Sequence, residues 1–532
     1  MKDQGLQRSP YAPRYYTSLP CRVLNFSPSR DEHLSSQTKR SKKKAQNPAS
    51  LTPEFIAEQR RLKKEAQEAK RQELIAQGID PDQVNIPAEL RFIKRPMLSV
   101  PGCVKEQRAV LEGVPEKLPI TIMTYNLLAQ ALIRRKLFPT SGDALKWSRR
   151  SRVLLAEFKQ YKSDILLLQE VDFVQYKSFW KDEFEKMGYA LAYHRAGAKN
   201  HGVAIVWQKH LFEMKNQCFI DYDRTDTGDV LPRTITRNVG LIAALEFTPQ
   251  LKKKYPNTTR SGILIGTTHL FWHPFGTYER ARQTYIILAK FKEFAHTMSV
   301  VHNKGAPGKW FQFFGGDFNS QPFDAPYLSI TRKPVVYDER CRRVVECSTS
   351  YIYSKNRGAV ENENSNGDED EENEEEPGGN VEKFGDQPKD PVPESFTPTP
   401  EQSLLVQQIT DLHNALDMRV ISLYSIGYKS THPENSGTDN DRNEPAFSNW
   451  AHAWRGLLDY IFVVTAWDVT SDCRQVDSVE DVSRTTGVEL RKLLRMPEPA
   501  EMGEEPSGQP RAGMYGSDHL CMIAEVDLDM GG

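Results

Sequence analysis

The strongest constraint on this chain is a series of short apolar segments, each about one strand long, with stretches of helical spacing between several of them. DILLLQE (164–170), GVAIVW (202–207), GILIGTTHL (262–270) and WFQFFGGDF (310–318) are dominated by aliphatic, aromatic and glycine residues, the pattern of buried strands. PITIMTYN (119–126), LLDYIFV (457–463) and DHLCMIAEV (518–526) read the same way. Between them, ALKWSRRSRVLLAEFKQY (144–161) and TYERARQTYIILAKFKEFAHTM (277–298) place apolar residues on one helical face. Strands alternating with helices predict a mixed α/β sheet protein.

Where these apolar runs end, similar polar residues recur. Asn126 follows ITIMTY, Glu170 follows DILLLQ, and His269 follows ILIGTT. Asp317 and Asn319 stand in FFGGDFNS, Asp459 in RGLLDYIF, and Asp518 with His519 in YGSDHL. Ends of buried strands deliver side chains into a crevice. Taken singly, each has an ordinary explanation: Glu170 as a surface acid, Asn319 as a turn former, His269 as a core histidine. Taken together they are the residue types that cleavage of a phosphodiester needs. That reaction calls for a hard cation, and Mg²⁺ prefers one or two carboxylates with water and phosphate filling the rest. It also calls for an oriented water, donors around developing charge, and a histidine held by a carboxylate. Glu170 supplies the metal carboxylate, and Asp317 with Asn319 orients water and binds phosphate. Asp459 fixes one tautomer of His519 and favours its charged form.

The net charge of -1 hides two opposed blocks. Residues 1–77 hold sixteen Lys/Arg against eight Asp/Glu, a net of +8, whereas 361–376 hold ten acids and no base. Residues 1–52 are polar and basic and are expected to form a disordered tail. Residues 53–77, between Pro53 and Gly78, predict a helix too poor in apolar residues to be buried, solvated or lying on RNA. It opens a helical extension and linker expected to reach 116. The catalytic domain is expected over 117–528, interrupted by a disordered acidic and Pro-rich insertion at 355–402. Seven cysteines without a C-x-x-C pair argue against a disulfide framework or zinc site and for a reducing compartment. No run approaches the roughly 18–20 apolar residues of a membrane span, and the first residues lack the apolar core of a secretory signal. A soluble intracellular protein is the expectation, without a membrane partner.

TYN, LLLQEVD, TTHL, GGDFNS, LLDYIF and SDH, in this order, resemble the exonuclease–endonuclease–phosphatase superfamily, over about 117–528 apart from the insertion. The resemblance implies a four-layer α/β sandwich of the deoxyribonuclease type, with the site at one mouth. TYNLLAQAL, LLLQEVDF and THLFWHP are closer to the deadenylase branch, which includes nocturnin and the yeast NGL-type RNA exonucleases. That likeness implies a metal-dependent 3′→5′ exonuclease acting on a single-stranded RNA end, in ribosomal RNA trimming or poly(A) shortening. Mg²⁺ is the implied cofactor, with Mn²⁺ as the alternative ion. Asn126 and His269 would contact the phosphate, Asp459 and His519 would stabilise the transition state, and Asp518 completes the catalytic set. Pro274 of FWHP and Trp454 of WRGLLD stand where the branch packs a nucleobase, and core packing is the other reading of Trp454.

Two departures narrow the likeness. Leu128 occupies the place of an acid found in the abasic-site endonucleases, which speaks against DNA repair. Asn200, His201 and Gly202 stand where the deadenylases commonly have Asp-Gly, which loosens the inference to poly(A) specificity. Two other activities share these features: a phosphatase of small nucleotides, and an inactive RNA-binding scaffold. KRSKKK (39–44) reads as a nuclear localisation or RNA-binding patch, which favours nucleus and cytoplasm; the first thirty residues, basic with only Asp3 acidic, leave a mitochondrial presequence as the alternative.

Overall fold

The computed structural model describes residues 53–76, 80–101, 116–303, 310–350, 396–437, 442–452, 454–467 and 478–531. The chain divides into two units, Met1–Pro81 and Asp82–Gly532. The first contains the helix Pro53–Ala76, exposed from residue 57 to 73 as its composition predicts. Pairs one turn apart support it, among them Arg61 to Glu58 and Gln72 to Glu68, both at 2.8 Å. The expected tail, with KRSKKK, and most of the expected insertion lie outside the described residues.

The second unit holds two large sheets. One has seven strands, in the order Met97–Ser99 (β1), Val488–Leu494 (β14), Met522–Asp529 (β15), Lys117–Asn126 (β2), Ile165–Asp172 (β3), His201–Gln208 (β5) and Tyr189–His194 (β4). The other has six: Met418–Ser422 (β10), Asp459–Ala466 (β13), Trp310–Asp317 (β9), Gly262–His269 (β8), Val239–Phe247 (β7) and Phe212–Asp221 (β6). Asn449–Trp450 (β11) and Arg455–Gly456 (β12) form a small antiparallel pair.

Among the described strands, β2–β3 and β8–β9 pair in parallel. A parallel pair needs a crossover, and each has a helix for it: Trp147–Tyr161 in the first, Thr277–Asn303 in the second. Alternate residues of the central strands feed two cores. Ile122, Ile165, Leu167 and Ile205 join the core between the sheets, while Met123, Tyr125, Leu166 and Val206 pack with Leu154 and Phe158 of the first crossover helix. Ile287 and Phe291 of the second crossover helix are buried over the other sheet, where a Cβ on Gly266 would meet Phe291 at 3.4 Å. The four-layer sandwich, helix–sheet–sheet–helix, is therefore the observed architecture.

Two expected boundaries move. The segment from 82 to 100 is part of the catalytic unit and not a linker: β1 pairs with β14, and buried Arg95 donates to the carbonyl of Cys521 at 2.7 Å. A strand of three residues has too little periodicity to show in the sequence. The expected insertion ends earlier than 402, because Pro400–Ala415 is a helix. Thr399 and Gln402 cap it reciprocally and Pro400 takes its first position, a signal the Pro-rich context masks.

Candidate active site

The two parallel units each bring two polar residues to the same mouth. Asn126 ends β2 and Glu170 lies near the end of β3; His269 ends β8 and Asp317 ends β9, opposite one another in register. Asp459 and His519 arrive from the other direction. Asp459 is the first residue of β13, registered against Asp317, and His519 precedes β15. These antiparallel neighbours begin where the parallel strands end, so the sequence reading of six strand ends becomes four ends and two beginnings.

Local backbone irregularity aims these groups. The β3–β5 register shifts between Leu168 and Val171, and Glu170 within that bulge has φ +51°. Leu128 at φ +55° and Asn319 at φ +46° are also left-handed. Non-glycine residues rarely adopt this region, and strain of this kind collects at functional sites. Ahead of Asp317, a Cβ on Gly316 would lie 2.2 Å from the carbonyl oxygen of Thr268, so no other residue fits there.

Asp317 lies at the centre. Its Oδ2 accepts from Asn126 Nδ2 at 2.8 Å and lies 3.6 Å from His269 Nε2 and 3.7 Å from His519 Nε2. Asn126 also donates to Glu170 Oε1 at 3.1 Å, and its own Oδ1 accepts from the Leu128 amide at 2.9 Å. Glu170 Oε2 accepts from the Ala129 amide at 2.9 Å, and His269 Nε2 is 3.8 Å from Glu170 Oε1. On the far side, His519 Nδ1 donates to Asp459 Oδ2 at 2.7 Å, and Ser448 Oγ donates to the same oxygen at 2.7 Å.

Charge is distributed unevenly across this cluster. Burial, with Lys199 and His519 adding to it, lowers His269 to about 3 and keeps it neutral. Burial also opposes a charge on His519, but Asp459 and Asp317 outweigh it and hold this imidazole well above its ordinary range. Burial pushes Asp317 upward, with Asp459 adding to the effect and His519 and Asn126 opposing it. Asp518 is also pushed up by burial. Its backbone oxygen accepts from the Trp450 amide at 2.7 Å, and its side chain accepts from Ser517 Oγ at 3.3 Å.

Glu170, His269 and Asp317 bring three ligand atoms within 4.8 Å of one another, and Asp317, Asp459 and His519 form a second such group. Carboxylate oxygens with a neutral imidazole suit a hard divalent cation. The first group fits better, since His519 is held charged and a charged imidazole has no lone pair to give. The sequence reading had Glu170 as the metal ligand; Asp317 and His269 lie beside it with donor atoms that could share an ion.

Several supporting residues carry no motif. Buried Arg150 donates to the carbonyls of Leu127, Leu128 (2.7 Å) and Gly516 (2.8 Å), tying the loop after β2 to the loop before β15. Arg280 does the same for the FWHP loop, bonding the carbonyls of Phe271 (3.2 Å) and Pro274 (3.3 Å) and the hydroxyl of Ser320 (2.9 Å). Asn319 donates to the Leu270 carbonyl at 3.0 Å, and its amide bonds Asp317 Oδ1 at 2.9 Å. An arginine at the fourth position of each crossover helix is the only sequence trace of the two. Pro274 is half-buried and Trp454 is 49% exposed, which removes core packing as the account of Trp454.

Residues 123–519 match the model of the endonuclease/exonuclease/phosphatase family. The chain belongs to this family. Nucleases of the endonuclease/exonuclease/phosphatase family generally depend on a divalent metal, in keeping with the donor set at Glu170, His269 and Asp317. RNA exonuclease NGL2 of Saccharomyces cerevisiae is 51% identical over 507 residues, covering 94% of this chain and 93% of that protein. A probable RNA exonuclease of Schizosaccharomyces pombe, C9B6.11c, is 35% identical and covers 90% of this chain and 89% of its own length. Among solved structures, ANGEL2, a 2′,3′-cyclic phosphatase, covers 82% of this chain and 99% of that one at a TM-score of 0.49 and 20% identity, too distant to speak to activity.

Proposed function

We infer that the protein is a Mg²⁺-dependent 3′→5′ exonuclease acting on single-stranded RNA ends. The observation that carries this reading is Asp317 Oδ2, within 3.6 Å of a neutral histidine and 3.7 Å of a charged one. One carboxylate thus serves both a cation-type donor set and a positively charged donor. The likeness to NGL2, across nearly the whole of both chains, supports RNA as the substrate.

Glu170, Asp317 and His269 would hold the ion, which when bound neutralises phosphate charge and favours ionisation of water. Both amide hydrogens of Asn126 are engaged, with Glu170 and Asp317, so it fixes the carboxylates, and phosphate contact falls to charged His519. Charged His519, oriented through Nδ1 by Asp459, presents its Nε2 proton toward the charge developing on phosphorus-bound oxygen. Asp317, with its other oxygen fixed by the Asn319 amide, orients the attacking water. Exposed Trp454 and half-buried Pro274 hold the terminal base.

Incubating the full chain with 5′-labelled RNA tests this reading. Mg²⁺ should give a ladder that shortens from the 3′ end, and chelator should stop it. Internal cuts alone, or undiminished cleavage in chelator, would overturn it.

A further inference from the structure

A row of cations runs along one side of the mouth, outside the catalytic cluster. Phe173, three residues after Glu170, has Arg195 Cζ at 3.5 Å and Lys177 Nζ at 4.1 Å from its ring centroid. Its ring lies nearly parallel to those of Tyr176 and Tyr193, which stack at 4.3 Å and 10°. Arg195 Nη1 donates to the Lys199 carbonyl at 2.8 Å, and Lys199 Nζ donates to the Arg237 carbonyl at 3.4 Å. The contacts therefore run without a break from Lys177 through Phe173, Arg195 and Lys199 to Arg237.

This rim joins the catalytic cluster at two points. Asn238, directly after Arg237, donates to the His269 carbonyl at 2.8 Å, and the His201 ring lies 6.1 Å from that of His269. The amide of Phe173 bonds the Asn200 carbonyl at 2.7 Å, closing the two loops on each other. Nearby carboxylates are turned inward. Asp172 accepts from the amides of Gln130 and Ala131, and Asp223 from those of Thr236 and Arg237. Lys177, Arg195 and Arg237 make no ion pair with a carboxylate among the described residues. Exposed Arg237 sits at φ +51°, a conformation that persists only where its surroundings impose it.

Lys177, Arg195 and Arg237, clustered without an ion pair among the described residues, repel one another and attract a polyanion. We propose that this rim holds the phosphodiester backbone of the RNA strand on the 5′ side of the bond being cut, an assignment that rests on the nuclease reading above. Backbone recognition fits better than base reading, because the rim offers charge and no convergent set of acceptors. A strand fits better than an acidic protein, because the rim runs into the phosphate-handling centre.

The test compares the full chain with its Lys177→Ala/Arg195→Ala/Arg237→Ala variant on an RNA of about 20 nucleotides and on a dinucleotide, across salt concentrations. On the long RNA, KM should rise ~10-fold or more and the slope of log KM against log salt should flatten by roughly 0.7 per lost contact, about 2 in all. Turnover of the dinucleotide should be unchanged. The charge-keeping variant Lys177→Arg/Arg195→Lys/Arg237→Lys should retain the wild-type slope, which separates charge from folding. An unchanged KM and slope on the long RNA would overturn the proposal, as would an equal loss on both substrates or a defect only in binding an acidic protein. Salt-dependent binding of the long RNA to the Glu170→Gln protein reads the rim without turnover. If that binding weakens in the triple variant while wild type cleaves no RNA, the nuclease reading fails and the rim stands.

Discussion

Asp317 has a histidine on each side at nearly equal distance, and the two are in opposite states. His269 and His519 are both buried, yet one is lowered to about 3 and the other is held well above its ordinary range. Burial acts against charge on both. The difference is the second carboxylate: Asp459 touches His519 at 2.7 Å, whereas His269 is approached by Glu170 no closer than 3.8 Å and feels the positive charge of Lys199. A short carboxylate contact, more than residue type or depth, decides which imidazole is charged. The site gains two faces, one that donates lone pairs to a cation and one that donates protons to an anion.

The sharpest break of this comparison removes the carboxylate of the cation-facing side. Glu170→Ala should lower turnover by more than about 10⁴-fold, because the charged transition state needs the metal there more than the ground state does. RNA affinity, measured by filter binding, should stay near wild type, since basic contacts and stacking supply most of it. Residual Mg²⁺-dependent turnover near wild type would mean that the two faces are wrongly assigned.

On the other face, Asp459→Asn removes the charge that supports His519 while keeping the side chain's shape. Turnover should fall by about 10²–10⁴-fold, the usual contribution of a positioned proton donor. The His519 imidazole, followed by NMR, should then titrate at lower pH and behave more like His269. An unmoved titration would show that Asp317 alone keeps it charged.

Trp454→Ala leaves both faces in place and so separates substrate holding from chemistry. KM for RNA should rise roughly 5- to 150-fold, equivalent to about 1–3 kcal/mol of stacking. Hydrolysis of a base-free phosphodiester should barely change. A matched loss on both substrates would mean that the ring does not hold a base.

The remaining expected effect is on acid stability and not on activity. His269 is neutral in the folded state down to about pH 3, whereas an unfolded histidine takes up a proton near 6.5. Between those values the unfolded chain binds the extra proton, so this residue makes stability fall as pH drops from 6.5 toward 3, by at most about 1.4 kcal/mol per unit. In the metal-free protein, His269→Gln should flatten the acid limb of a melting-temperature profile. An identical acid limb would show that other groups set it.

Much of the site was legible because its residue types stand directly beside apolar runs, as in TTHL and LLDYIF, where hydropathy fixes the strand and chemistry marks where it ends or begins. Glu170 could be named as a metal ligand, but the bulge and left-handed backbone that aim it have no side-chain signature. The Ala129 amide and the Ser448 hydroxyl were invisible for the same reason: any residue offers the first, and serine is common. Strands at the sheet margins were harder. β6 is half exposed, with four exposed residues in a row, and β14 slips register between Leu490 and Lys492, so neither keeps a clean period of two. The three-residue β1 and the capped helix after the acidic insertion were hidden by their neighbours. The stacking role of Trp454 came from family likeness and not from spacing, and its exposure leaves the ring open to a ligand.

The place of β15 in the first sheet has a consequence for the making of the protein. This strand lies between β14 and β2, with Met522 opposite Thr124, and His519 stands just ahead of it. A ribosome delivers the chain from its N-terminus, so Asn126, Glu170, His269 and Asp317 emerge long before their last companion. Until β15 slots in beside β2, the charged donor is missing and Asp459 has no imidazole to orient. An enzyme that degrades RNA thus lacks its charged donor beside the messenger and ribosome that build it until residues 519–529 have emerged and β15 has paired with β2.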